Sequence, residues 1–126
     1  MRKILLLLLM TFPTIYVCKD ESNHQTIVII APHPDDAESS CGGLIANSIA
    51  EGDEVIILTM TRGELGIWGK SMEEARVIRT KEAIAAAELL GAKCEFFGAI
   101  DGSLAFDSAN VQKLKAILSR INPDIV

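Results

Sequence analysis

The chain has 126 residues, of which 49% are hydrophobic, and a formal charge of -5 at neutral pH. An acidic chain with no Lys/Arg cluster argues against a nucleic-acid surface. Its three cysteines form no CxxC pattern that would suggest a sulfur metal site.

Arg2 and Lys3 open the chain, Ile4 to Met10 is unbroken apolar sequence, and Phe12 to Val17 stays mostly apolar. This is an export-signal pattern, shorter than a typical membrane span. The run stops at Cys18, and Lys19-Asp20-Glu21-Ser22-Asn23 follows. An apolar segment ending at a cysteine resembles a bacterial lipoprotein signal. Residues 1–18 are then a signal peptide, Cys18 the lipidated position and 19–25 a polar tether. Tyr16 and Val17 fit that signal poorly, so a plainly cleaved signal comes second and an uncleaved anchor third. The chain is expected outside the cytoplasm, periplasmic or membrane-anchored, and to meet a membrane only through this signal or a lipid.

About a hundred residues remain, the size of one small domain. Thr26–Ala31 reads as a buried strand. Ala37–Glu51 reads as a helix with Leu44, Ile45, Ser48 and Ile49 on or near one face and Gly52 as its stop. Val55–Met60 is a second strand, followed by a loop with three glycines from Thr61 to Lys70. Ser71 and Glu74 have capping-box spacing and open a long helix to Leu90, with Gly91 as its end. Cys94–Phe97 is a third strand. Val111, Leu114, Leu118 and Ile121 mark the buried stripe of a third helix, capped by Asp107 or Ser108. Asp124-Ile125-Val126 opens a fourth strand, at which the domain is expected to be truncated. Cys41 and Cys94 sit in apolar contexts that favour buried free thiols.

Alternating apolar strands and helices predict an α/β fold: a Rossmann-like parallel sheet with helices on both faces. Right-handed crossovers bring the loops after all three strands to one edge of the sheet. Active sites of open parallel sheets are built on that edge.

The first of those loops is His33-Pro34-Asp35-Asp36. A neutral imidazole and two carboxylates suit a borderline metal such as zinc. His33 and Asp36 are close enough in a tight turn to share one cation, and Asp35 could accept a proton from water. The competing reading is that Asp35 or Asp36 caps the helix. Gly42-Gly43 costs helix stability and predicts close packing behind the loop. Arg62 and Glu64 offer a donor fork and an acceptor in the second loop. Arg79 and Glu82 are placed for a surface ion pair. Asp101-Gly102 reads as a turn. Trp68 is either a stacking lid or a partly buried loop anchor.

Pro-His-Pro-Asp-Asp-Ala-Glu, Cys-Gly-Gly, Thr-Arg-Gly-Glu-Leu-Gly, Arg-Thr-Lys-Glu, Leu-Gly and Asp-Gly, in this order, closely resemble the PIG-L/LmbE-like family of zinc-dependent deacetylases. The likeness covers residues 25–126. It implies hydrolysis of the acetamide of an N-acetylglucosamine-type conjugate. His33 and Asp36 are the implied zinc ligands and Asp35 the general base. Arg79 and Asp101 are implied to hold sugar hydroxyls, with Arg62 and Glu64 on the substrate-side loop. The resemblance also implies a downstream His-x-Asp-His-type segment, carrying a third ligand and an oxyanion-stabilising histidine, which residues 1–126 do not contain. These residues alone are therefore expected to hold metal weakly and to be inactive. The alternative is a non-catalytic sugar-binding module. A nucleotide-binding fold is disfavoured because G-x-G-x-x-G is absent. The expected partner is a small N-acetylated sugar conjugate; homo-oligomer formation is left open.

Overall fold

A computed structural model describes residues 24–126. The signal segment and Cys18 lie outside the described residues, as does most of the tether. Three strands, β1 (Thr26–Ala31), β2 (Glu54–Thr61) and β3 (Lys93–Ala99), alternate with three helices, α1 (Asp36–Glu51), α2 (Met72–Leu90) and α3 (Ser108–Ile121). The strands lie in the order β1-β2-β3, all parallel, with Thr26 opposite Glu54 and Ile57 opposite Cys94. The expected parallel α/β architecture is present, β2 and β3 being slightly longer than their apolar runs.

The pleat divides the strands' side chains between two cores. Ile27, Ala31, Val55 and Ile57 face α1 and α2, where Ile45 and Ala87 complete one cluster. Val28, Ile56, Leu58 and Phe97 face the other side, where Leu114, Ile117, Leu118 and Ile121 of α3 cover them. Each fully buried aliphatic side chain contributes roughly 1.5–3 kcal/mol. Leu44, expected on or near the buried face, is exposed, while Ile45 and Ser48 are buried. Cys41 and Cys94 are free and half-buried against the first cluster. Burial pushes the Cys94 thiol up, with Glu38 adding to the effect.

The helix ends follow their sequence signals. Ser71 Oγ accepts from Glu74 N–H and the Glu74 carboxylate accepts from Ser71 N–H, a complete capping box. Those Ser71 bonds hold Glu74 below the usual carboxylate range. Asp107, rather than Ser108, caps α3 by accepting from Asn110 N–H at 2.8 Å. Gly52 and Gly91 close α1 and α2 with φ of 97° and 79°, the left-handed region that glycine enters without a steric cost.

Ile125 pairs in parallel with Ile27, on the side of β1 away from β2. Val28 N–H donates to Ile125 O at 2.9 Å and Asp124 N–H to Thr26 O at 2.8 Å. After advancing from β1 to β3, the chain thus doubles back to the far side of β1. This reversal creates a switch point at β1, where open α/β sheets bind ligands beyond the carboxyl ends of the strands. The His33 turn leaves β1 at that end. Among the described residues, no helix is long and apolar enough to cross a membrane.

Candidate active site

The three strand-to-helix loops meet as expected. A depression of about 230 Å³ is lined by His33 and Asp35 from the first, Gly63, Leu65 and Gly66 from the second, Asp101 from the third, and Arg79 from α2. The end of β2 ties down the first loop: Thr61 donates to Pro32 O through both its N–H, at 3.1 Å, and its hydroxyl, at 3.0 Å.

Asp35 stands at the N-cap of α1 but makes no side-chain cap bond. Its backbone is left-handed, φ 97°, in a non-glycine residue, a conformation that stores about 1–3 kcal/mol when held at a site. The turn thereby projects the carboxylate outward, where it pairs with Arg79 at 2.9 Å. The capping alternative for Asp35 is excluded. Asp36 takes a different position: its Oδ2 accepts from His33 N–H at 3.0 Å and lies 3.1 Å from His33 Nδ1.

His33 Nε2 lies 3.2 Å from Asp101 Oδ1. A carboxylate only accepts and one faces each ring nitrogen, so a neutral imidazole can donate to only one of them; metal binding at Nδ1 requires the tautomer that carries its proton on Nε2 and donates it to Asp101. A neutral imidazole then turns its Nδ1 lone pair toward Asp36 Oδ2. Two acceptors face each other, and a shared cation satisfies both. His33 Nδ1 and Asp36 Oδ2 are the imidazole nitrogen and carboxylate oxygen that zinc accepts as ligands. The donor set therefore fits a borderline divalent metal. Among the described residues, no group of three or more His, Cys, Asp or Glu forms a metal centre.

Arg79 is held by α2 rather than by a loop. It shares a stripe with Ala75, Ala83 and Ala87, all buried, at four-residue intervals. A lone arginine within an alanine stripe is a sequence signal for a fixed guanidinium. Arg79 donates to Pro34 O as well as pairing with Asp35. The surface pairing with Glu82 suggested by spacing gives way to these partners; Glu82 lines a neighbouring hollow of about 140 Å³ with Glu38. Glycine at position 63 makes room: a Cβ there would lie 3.1 Å from Arg79 Nε. That Nε is buried without a hydrogen-bond partner.

The remaining candidates divide. Glu64 is buried, and its Oε2 accepts the N–H groups of Asp101 and Arg62. Arg62 does not line the depression: its guanidinium stacks 4.1 Å above Phe96 and donates to Thr80 Oγ1 at 3.0 Å. Trp68 is fully exposed, which removes the loop-anchor reading. Gly42 and Gly43 would meet nothing within 4 Å if given a Cβ, so the expected close packing behind the loop is absent. His24 lies at the other end of β1, beside Gly52.

Fold and site together define a Rossmann-like α/β protein with a histidine–carboxylate cluster at the switch in its strand order. The chain belongs to the PIG-L family: the family model described as PIG-L, GlcNAc-PI de-N-acetylase, matches residues 28–126. Over 120 residues it is 32% identical to 4-oxalmesaconate hydratase of Pseudomonas putida, covering 86% of this chain and 46% of the relative. Over 125 residues it is 30% identical to the 1D-myo-inositol 2-acetamido-2-deoxy-alpha-D-glucopyranoside deacetylase of Corynebacterium diphtheriae, covering 79% and 43%. The N,N'-diacetylchitobiose deacetylase of Pyrococcus horikoshii, solved with its inhibitor MPG, superposes with a TM-score of 0.77 at 32% identity, over 82% of this chain and 40% of that one. The chain spans less than half the length of these relatives.

Proposed function

We propose that the protein is a metal-dependent deacetylase that hydrolyses the N-acetyl group of an N-acetylglucosamine-type glycoconjugate. One observation carries the reading: His33 Nδ1 and Asp36 Oδ2 face each other at 3.1 Å, on the same turn as the outward carboxylate of Asp35. Zinc, or another divalent metal, held by His33 and Asp36 would supply Lewis-acid polarisation of an acyl carbonyl. Asp35 takes a proton from water on a carboxylate oxygen and delivers it to the departing amine nitrogen. Arg79, braced by Asp35 and Pro34, offers N–H donors to sugar hydroxyls, and Asp101 borders the same depression as an acceptor. Arg62 and Glu64 support the loop between them. The activity is proposed for a protein that includes the histidine segment implied by the family resemblance; residues 1–126 alone are proposed to hold zinc weakly and to be inactive.

The deacetylases among the relatives support this reading. A second reading, hydration of an unsaturated acid, is favoured by the Pseudomonas putida relative. The lining favours the first. Two carboxylates, Asp35 and Asp101, line the depression beside a single arginine that is paired with Asp35, which suits a neutral amide better than a substrate bearing several carboxylates.

The test is acetate release from an N-acetylglucosamine conjugate, run beside hydration of a conjugated polycarboxylic acid. Asp35→Asn should lower turnover about 10²–10⁴-fold while retaining metal, whereas His33→Ala and Asp36→Ala should lose the metal itself. Full activity in Asp35→Asn would remove Asp35 from its role; hydration without acetate release would replace the deacetylase reading. We also propose export through residues 1–18 with lipidation of Cys18. Labelled fatty acid should enter the wild type and not Cys18→Ser.

A further inference from the structure

We infer that Glu64 is a positioning residue that acts through Asp101 on His33, so that a buried carboxylate remote from the chemistry sets the aim of the metal-facing imidazole. The inference rests on the metal reading of His33 and Asp36. Glu64 is only 7% exposed, and burying a carboxylate is costly unless its oxygens are bonded. Its Oε2 accepts the main-chain N–H of Asp101 at 3.1 Å and that of Arg62 at 3.3 Å. The next residue reciprocates: Leu65 N–H donates to Asp101 Oδ2 at 3.2 Å. Residues 64 and 65 therefore grip Asp101 by both its main chain and its side chain. The other oxygen, Oδ1, is left directed at His33 Nε2, 3.2 Å away.

A carboxylate that accepts from the second nitrogen of a ligating histidine fixes its tautomer and ring orientation. Asp101 has that placement, with its side chain 14% exposed. Glu64 stands one link behind it. The chain of contacts crosses all three loops: Glu64 from the second holds Asp101 of the third, which holds His33 of the first. Glutamate at position 64 thus serves the metal corner, without lining the depression itself.

The experiment measures zinc affinity of the purified protein by chelator competition, with no substrate and no turnover. Asp101→Ala should weaken zinc binding about 10–100-fold and Glu64→Ala about tenfold. Glu64→Gln keeps an oxygen that accepts both N–H groups, and should stay within about threefold of wild type. The double variant Glu64→Ala/Asp101→Ala should bind no more weakly than Asp101→Ala alone, because the effect of Glu64 passes through that residue. Asp101→Asn guards against misfolding: its amide oxygen retains the Leu65 bond while its NH₂ faces Nε2, so zinc affinity should fall with the thermal midpoint unchanged. Wild-type zinc affinity in a folded Glu64→Ala, or additive losses in the double variant, would overturn the relay. A wild type that takes up no zinc would overturn the metal reading and this inference with it.

Discussion

The two faces of the sheet are built differently. On one, α1 and α2 bury Ala37, Ile45, Ser48, Ala75, Ala83 and Ala87. On the other, α3 contributes no fully buried residue, although Leu114, Ile117, Leu118 and Ile121 rest on the strands. The alanines of α2 allow its backbone to approach closely, and α1 and α2 support each other as well as the sheet. Among the described residues, α3 rests on its face of the sheet without a helical neighbour. The catalytic candidates follow the tighter face: Asp35 stands at the head of α1 and Arg79 is embedded in the alanine stripe of α2. Groups whose placement matters to chemistry are attached to the side that yields least.

The largest expected effect tests this contrast directly. Ile45→Ala, at a position with no exposed surface, should lower the unfolding free energy by about 3–4 kcal/mol, and Leu118→Ala on α3 by no more than about 2. Equal losses in denaturant titrations would break the comparison. Gly63→Ala comes next. Its φ of +63° and the 3.1 Å approach of Arg79 Nε oppose a side chain, at a cost of about 1–2 kcal/mol for the backbone alone. Because Arg79 must shift, KM for the proposed sugar substrate should rise more than kcat falls; an unchanged KM would detach Gly63 from Arg79.

Asp35→Gly sharpens the contrast from the other direction. It relieves the left-handed strain at Asp35 and should raise the unfolding free energy by about 1 kcal/mol while the proposed hydrolysis is lost. A lower thermal midpoint would mean that the Arg79 ion pair outweighs the strain. The smallest effect is at Cys94. Its raised thiol pKa means that the folded state keeps its proton above the pH where the unfolded chain loses it, about 8.5. Stability should therefore decline with pH from there up to the folded-state pKa, and Cys94→Ala should flatten that decline.

Much of this was legible from local pattern. Apolar runs and helical spacing located the strands and helices. Ser71 with Glu74, Gly52 and Gly91 marked helix ends, because caps are bonds between near neighbours in sequence. The topology rule for parallel sheets brought three distant loops to one edge. What pattern could not supply was partner choice across the fold. Glu82 is Arg79's neighbour along the helix, but the guanidinium goes to Asp35, 44 positions earlier in the numbering. Asp101 read as a turn, yet its carboxylate ends on His33, across 68 positions. Gly42-Gly43 misled because a glycine pair is costly in a helix whether or not anything lies near it, and here nothing does.

The return of the chain to β1 also has a kinetic meaning. The bond from Thr26 N–H to the Asp124 carboxylate joins residues 98 positions apart, whereas β1 meets β2 across a single helix. Closing so long a loop carries a larger entropic cost, growing slowly as (3/2)RT ln n, and distant pairings slow folding. The unit β1-α1-β2, which carries the His33 turn between its strands, has the shorter loops to close. The His33–Asp36 pair should thus come together early in folding, and the switch point that frames it should close last. In a pulse-labelling hydrogen-exchange experiment, the amide of Leu58, which the β1–β2 register directs toward β1, should gain protection before that of Val28, which is bonded to Ile125.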